Sequence, residues 1–348
     1  MIATTRIGMW AGLCFMIVVA LSCKKELPLP DISTQKKIVL IGEFIAGDTF
    51  KLRAGQSIAV SGKEQLSFQL LEGLSLELKD ITGYSYQLSA YQDSFIQMLY
   101  TVPFAGKEMV KSGMEYTINA NHASLGIATA HIKIPGPIDA AVTDTAFAMY
   151  SNNGTLRIRI KINDPGNAVN YYVIEAVRQG MDIQGYFYYN GTWHSLQTES
   201  SLYDFLKSSG NNPATKFDTV FQNKYVRQPV YTSDINSDNV TDNGANTAAK
   251  RILLKDLNFN GMEYNTNVYV GEDNSGIPLD STKGRVFVYI KSVSPDYFKF
   301  LKSYETYDPM SGYTSLEQPV KIEGNVVNGL GMIGGVSQVT YTYISGRR

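Results

Sequence analysis

The sequence predicts a mostly β protein made of two β-sandwich domains, the second with a long insertion and one or two short helices. Three observations carry this reading. Apolar residues recur at every second position from Lys37 onward. Gly, Asn, Asp and Pro punctuate the runs every ~8–15 residues, a sandwich rhythm. The composition, with 23 Tyr and 30 Gly among 348 residues, suits pleated strands and tight turns. Only 18% of residues are charged, which is too apolar a balance for disorder. With 31 Lys and Arg against 32 Asp and Glu, no surplus of cations exists for a phosphate backbone, so nucleic-acid binding is not expected.

Residues 1–22 read as a secretory signal peptide: Arg6 leads an apolar run from Met9 to Leu21. That run is shorter than the ~20 residues needed to cross a bilayer. It ends in Ala20-Leu21-Ser22-Cys23, which resembles a bacterial lipobox and makes Cys23 the expected lipid attachment site, acylated as the first residue of the mature chain. Cys14 leaves with the signal, so the mature chain has one cysteine and no internal disulfide. Residues 23–36 form a short Pro-containing tether, in which Lys24-Lys25-Glu26 resembles the surface-export signal of Bacteroidota lipoproteins.

Residues 37–135 have the length of one immunoglobulin- or fibronectin-like sandwich. Strands are expected at Leu74/Leu76/Leu78, Tyr84/Tyr86/Leu88, Met114/Tyr116/Ile118 and Ala128/Ala130/Ile132/Ile134. His131 then falls on the wet face of its strand. Pro135-Gly136-Pro137 stops the sheet pattern and marks a boundary. Residues 138–348 form the second β domain, with an insertion at about 180–250. Leu156-Arg157-Ile158-Arg159-Ile160-Lys161-Ile162 is its clearest strand, apolar on one face and cationic on the other. Asn190-Gly191 supplies the two positive φ values of a type I′ turn, predicting a hairpin over Tyr186–His194. Ser200 or Ser201 caps a short helix over Leu202–Lys207 that stops at Gly210. A second helix starts at Ser294-Pro295-Asp296 and runs to about Thr306, with Tyr297, Phe300, Leu301 and Tyr304 on one face. Residues 208–250 are Asn- and Asp-rich and read as a long surface loop.

Few motifs carry chemistry. Gly329-x-Gly331-x-x-Gly334 has the spelling of a dinucleotide loop but is followed by a strand pattern, so the glycines are expected at bends and bulges beside a terminal strand. Asp234–Asp242 alternates acids and amides as calcium loops do, yet Asn239 and Ala245 stand where an EF-hand needs Gly and Glu. No metal and no cofactor is expected. His122, His131 and His194 are not at metal-ligand spacing, and there is no nucleophile elbow, so the chain is not expected to be an enzyme. A hydrolase carboxylate pair that meets only in space stays open. The remaining lead is the aromatic hairpin. Tyr186, Tyr188 and Trp193 are the candidate ligand-binding residues, offering flat faces to a sugar or peptide, while cross-strand packing is the competing explanation.

The C-terminal quarter, Asp296–Ser303, Gln318-Pro319-Val320 and Gly324–Gly334, resembles a family of Bacteroidota lipoproteins filed as domain of unknown function 4249. The resemblance includes a Tyr-rich helix, a Pro-Val strand and an Asn-x-x-x-Gly-Leu-Gly ending. It extends to the first strand Ile38–Gly42, to Gly113–Ile118 and to the linker Ile132–Pro137. It implies a lipid-anchored outer-membrane protein facing the cell exterior, partnered with a TonB-dependent outer-membrane receptor in ligand capture or gating. The alternative is a structural or adhesive surface lipoprotein that binds protein or glycan.

Overall fold

The computed structural model describes residues 35–57, 71–91, 102–150, 153–166, 168–238, 249–271, 284–306 and 322–344. Cys23, the signal and all but the last two residues of the tether therefore lie outside the described residues, as do Asn239–Asp242 of the acidic stretch. Lys37–Ile58 and Leu66–Arg348 make one compact unit.

The chain is mostly β, and its sandwiches share a sheet. Strands β1 (Ile38–Ile45), β2 (Thr49–Gln56), β5 (Ser89–Ala90) and β6 (Val102–Met109) form one layer of the first sandwich. Strands β3 (Ser75–Asp80), β4 (Ser85–Gln87), β7 (Glu115–His122) and β8 (Gly126–Lys133) form the other. Between them Phe50 meets Phe44, Tyr86 and Tyr116 edge-on, at ring separations of 5.1, 5.0 and 5.1 Å. Such offset contacts are the arrangement that aromatic quadrupoles favour. His131 is exposed, as its place in the alternation requires.

In the second sandwich β9 (Asp139–Tyr150), β10 (Asn153–Asn163), β14 (Val230–Tyr231) and β16 (Glu263–Val270) face β11 (Tyr171–Tyr189), β15 (Ile252–Lys255), β17 (Gly284–Val293) and β19 (Leu330–Ile344). Leu156, Ile158, Ile160 and Ile162 are all buried in this core. Arg157 and Lys161 turn outward to ion pairs with Asp144 at 2.6 Å and Glu263 at 2.9 Å. The strict period of two fixes which face is wet.

Two long-range pairings join the sandwiches. β19 runs parallel to β1 from Val39–Leu330 to Ile45–Val336, then pairs antiparallel with β17 from Val336 to Ile344. Just before it, β18 (Val326–Val327) adds to β8. Asn325 stands in for a strand at this crossing: its side chain donates to the Ile333 carbonyl at 2.9 Å and accepts the Ile333 N–H at 3.0 Å.

Of the glycine motif, Gly329 sits at the bend just before β19, as expected, whereas Gly331 and Gly334 lie inside the strand. A Cβ on Gly331 (φ +110°) would meet the Leu40 carbonyl oxygen, and one on Gly335 the Lys133 carbonyl oxygen. A Cβ on Gly334 would lie 2.5 Å from the ring of Tyr297. These glycines let a backbone press on two strands and an aromatic ring at once.

Two helices complete the fold. α1 (Ser200–Ser208) has Glu199 as its N-cap, one residue before the earlier expected cap Ser200, with no side-chain capping bond. The Glu199 carboxylate instead binds His194 Nδ1 at 2.7 Å. α2 (Pro295–Thr306) matches its predicted span. Its buried face is Tyr297, Phe298 and Leu301, while Tyr304 is 41% exposed. The buried stripe thus stops short of the last expected position.

The expected loop at 208–250 is corrected most. Thr215–Arg227 is a thirteen-residue strand, β13, paired with β11. Lys216 and Asp218 dilute its apolar pattern, and among the described residues no second sheet covers it. In the following segment, Asp234 accepts the Tyr264 and Thr266 hydroxyls, and Asp238 pairs with Lys255 at 2.7 Å and Lys302 at 2.9 Å.

Gly334→Ala should lower stability by ~1–3 kcal/mol, because helix α2 must shift to admit one methyl. Gly136→Ala, with nothing within 4 Å of its Cβ position, should be near neutral in the same urea titration. Equal effects would show that the Tyr297 contact is not a constraint.

Candidate functional site

The aromatic hairpin is the tip of a longer ribbon. β11 has nineteen residues. Its first half lies between β15 and β17, and the pairing with β17 ends at Gly180–Gly284. Beyond that point β11 continues with β13 on one edge and β12 (Thr192–Ser195) on the other. Asn190 (φ 47°) and Gly191 (φ 82°) make the turn as expected.

The two faces of this ribbon differ. On one, Phe187 is fully buried against His194 and Tyr203, with ring separations of 5.3 and 5.2 Å, and α1 adds the buried Leu206. Gly185 admits Leu196 and Phe217, whose atoms would lie 2.5 and 3.0 Å from a Cβ. This is a small satellite core, and it fixes the ribbon's shape.

The opposite face carries Tyr186, Tyr188 and Trp193 together, as strand parity demands. Trp193 sits directly across from Tyr188, with rings 5.3 Å apart, and each is 45% exposed. Lys216 enters from β13, opposite Tyr186. Its ammonium lies 4.9 Å from the Trp193 ring and 5.3 Å from the Tyr186 ring, and pairs with Asp218 at 2.9 Å. Cation–π attraction holds the rings as a platform around one charge. Tyr189 falls on the other face, near His194. Lys216 was beyond reach of sequence spacing, since only the register of β13 brings it here. On the Phe187 face, Ile183, Phe217 and, from α1, Phe205 add exposed apolar surface, at 43%, 68% and 65%.

Two buried polar clusters compete with the ribbon. Beneath α2, Glu175 on β11 pairs with Lys291 at 3.0 Å, Arg251 at 2.9 Å and Arg227 at 3.5 Å. Lys291 reaches Glu43 at 3.2 Å, Arg251 reaches Glu305 at 2.9 Å, and the Tyr297 hydroxyl donates to Glu43. Burial would raise the Glu175 carboxyl, but Lys291, Arg227 and Arg251 outweigh it and hold it down at about 2. Three carboxylates against three cations make a neutral cluster that ties α2 to the sheet.

In the second cluster Asp164 accepts the Tyr172 hydroxyl at 2.5 Å and the Gly261 N–H at 2.7 Å, while Asp256 accepts the Asn170 N–H at 2.8 Å. Burial, and then the Asp164 charge, push the Asp256 carboxyl up despite that N–H. The surrounding donors are N–H and O–H groups, which hold both carboxylates as acceptors and tie a loop to a turn. Among the described residues no group of three or more His, Cys, Asp or Glu could hold a metal ion. A cleft of about 320 Å³ between β7, β8 and the start of α2 is lined by Tyr116, His131, Lys133, Pro295 and Asp296. Its charges are paired locally, as in Lys133–Glu115 at 3.3 Å.

Fold and site together define a β-sandwich protein that carries a half-exposed aromatic ribbon. A family model described as domain of unknown function (DUF4249) matches residues 25–342, and the chain belongs to that family. No curated protein matches it significantly.

Glu175 binds protons more weakly folded than unfolded, so its contribution is present above pH ~4.5 and lost as pH falls towards 2. The loss is on the order of 3 kcal/mol. Glu175→Gln should be less stable at pH 7, because Lys291, Arg251 and Arg227 lose a buried partner, and should show a shallower acid limb. An unchanged acid limb would remove the cluster's role. Phe187→Ala should cost ~3–5 kcal/mol and Trp193→Ala well under half that, since only the first ring is buried. Equal losses would make the tip a core instead of a surface.

Proposed function

We propose that this protein is a lipid-anchored outer-membrane lipoprotein at the cell surface that assists a TonB-dependent receptor in ligand capture or gating. The observation that carries the reading is the contrast between its ends. The apolar run stops at Ser22-Cys23, which supplies an anchor, and the ribbon puts a half-exposed Trp193–Tyr188 pair beyond the sandwich core. Rigid aromatics with low conformational entropy are the residues that binding hot spots favour. Family membership supports the reading only through the lipoprotein resemblance.

Affinity purification from native membranes tests the partner. A β-barrel should co-purify with the wild type, and Trp193→Ala should weaken capture with the melting temperature nearly unchanged. Capture of adhesin or assembly proteins without a barrel would favour the structural or adhesive role. Cys23→Ala tests the anchor: the protein should move to the soluble fraction. If it still sediments with membranes in high salt, the lipid-anchor reading fails.

A further inference from the structure

The first sandwich carries a groove at the end of the shared sheet opposite the ribbon, since β12 stands at one end of the strand order and β5 at the other. Two features shape it. The segment Tyr84–Tyr91 changes sheets: its β4 part pairs with β3, and after Leu88 its β5 part pairs with β6 instead. Tyr86 and Leu88 point into the core, so Ser85, Gln87 and Ser89 turn outward by strand parity. Opposite this segment β6 bulges. Between the pairs Thr49–Met109 and Lys51–Ala105, Phe50 alone stands against Gly106, Lys107 and Glu108. Such a bulge breaks the ladder and re-aims side chains. Gly106 keeps the two walls close, because a Cβ there would lie 3.1 Å from the Leu88 side chain and 3.4 Å from the Gln87 carbonyl oxygen.

The groove has a volume of about 610 Å³, inside the ~300–1,000 Å³ of small-molecule sites. Tyr84 and Tyr91 line it and are 58% and 43% exposed. The rest of its apolar lining is small, Ala90, Ala105 and Gly106. Its polar lining is unspent. Gln87, Ser89, Lys107 and Glu108 have no side-chain hydrogen-bond or ion-pair partner among the described residues. Exposed charges elsewhere on this sandwich do pair, as in Lys51–Asp48 at 3.2 Å and Lys79–Glu77 at 2.6 Å.

We propose that this groove binds a segment of a neutral saccharide. A sugar ring presents C–H faces that suit flat aromatic rings, and hydroxyls that both donate and accept. The two tyrosines supply the rings. Ser89 and Gln87 donate and accept, Glu108 accepts and Lys107 donates. One cation beside one carboxylate gives no net charge, so the lining selects neither a phosphate nor a metal ion. A lipid tail would leave these polar groups desolvated and unpaired, at a cost for each. An added peptide strand needs a regular edge, whereas β4 has three residues, β5 two, and β6 is bulged at this place. Nor do Ala90, Ala105 and Gly106 form the deep apolar pocket that a peptide's anchoring side chain fills. The site is independent of the receptor reading, which rests on the ribbon and the anchor.

Affinity electrophoresis of the full chain in mild detergent tests the proposal. Each native gel contains one neutral polysaccharide (a glucan, a mannan, a xylan or a galactan) or the acidic polygalacturonate. At least one neutral gel should retard the wild type, and polygalacturonate should retard it less. Gln87→Ala and Tyr91→Ala change exposed side chains, and each should weaken that retardation by roughly fivefold to tenfold with an unaltered melting curve. Trp193→Ala should migrate as the wild type does. A wild type that no neutral polysaccharide retards overturns the proposal, whether or not it binds immobilised peptides. So does stronger retardation by polygalacturonate, or retardation that Gln87→Ala or Tyr91→Ala leaves intact. Loss in Trp193→Ala would move saccharide binding to the ribbon and overturn the groove. Capture of a β-barrel is a separate readout, so the receptor reading and this one fail independently.

Discussion

The parallel pairing of β1 with β19 is the contact on which the rest of the structure depends. It welds the first strand of one sandwich to the last strand of the other, so a single sheet serves both cores. β19 contributes Ile333 to the first core, Met332 and Val336 to the cluster under α2, and Val339, Tyr341 and Tyr343 to the second core. A strand that touches so much must approach other backbones closely. Glycine is the residue that permits it, which explains why a nucleotide-like spelling arises here without a nucleotide site.

The polar clusters act at the same joint. Glu43 comes from β1, Glu175 from β11, Lys291 from β17 and Glu305 from α2, so four elements are fixed by one neutral group of charges. Placing charges under a helix is costly unless every one is paired, and a mispaired register of β1 or β17 would strand at least one of them. Such a cluster adds less to net stability than to the choice of one arrangement over its neighbours.

Much of this was legible in the residues. Leu156–Ile162 announced both its strand and its wet face, Asn190-Gly191 its turn, and Pro295 the start of α2. These signals are local, set by φ, ψ and a period of two or 3.6. What stayed hidden was non-local. β13 looked like loop because its outward face has nothing to pack against, so charges sit among its aromatics. Phe298 was missed because the buried stripe is Ser294, Tyr297, Phe298 and Leu301, shifted towards the helix start from the set read at Tyr297, Phe300, Leu301 and Tyr304. Of the candidate site, Tyr186, Tyr188 and Trp193 could be read as one face, but the ammonium at their centre could not. Lys216 reaches them only through pairing.

The joining of β1 to β19 also fixes the order of events in the protein's making. β1 and β19 are far apart in the sequence, so the first sheet waits for a neighbour made much later. Topologies dominated by such distant pairings close slowly, since the loop entropy is lost before the contacts form. Until then β1 has an open edge and the ring cluster around Phe50 lacks Ile333 beside it. The first sandwich therefore cannot complete its sheet until β19 is available to pair with β1.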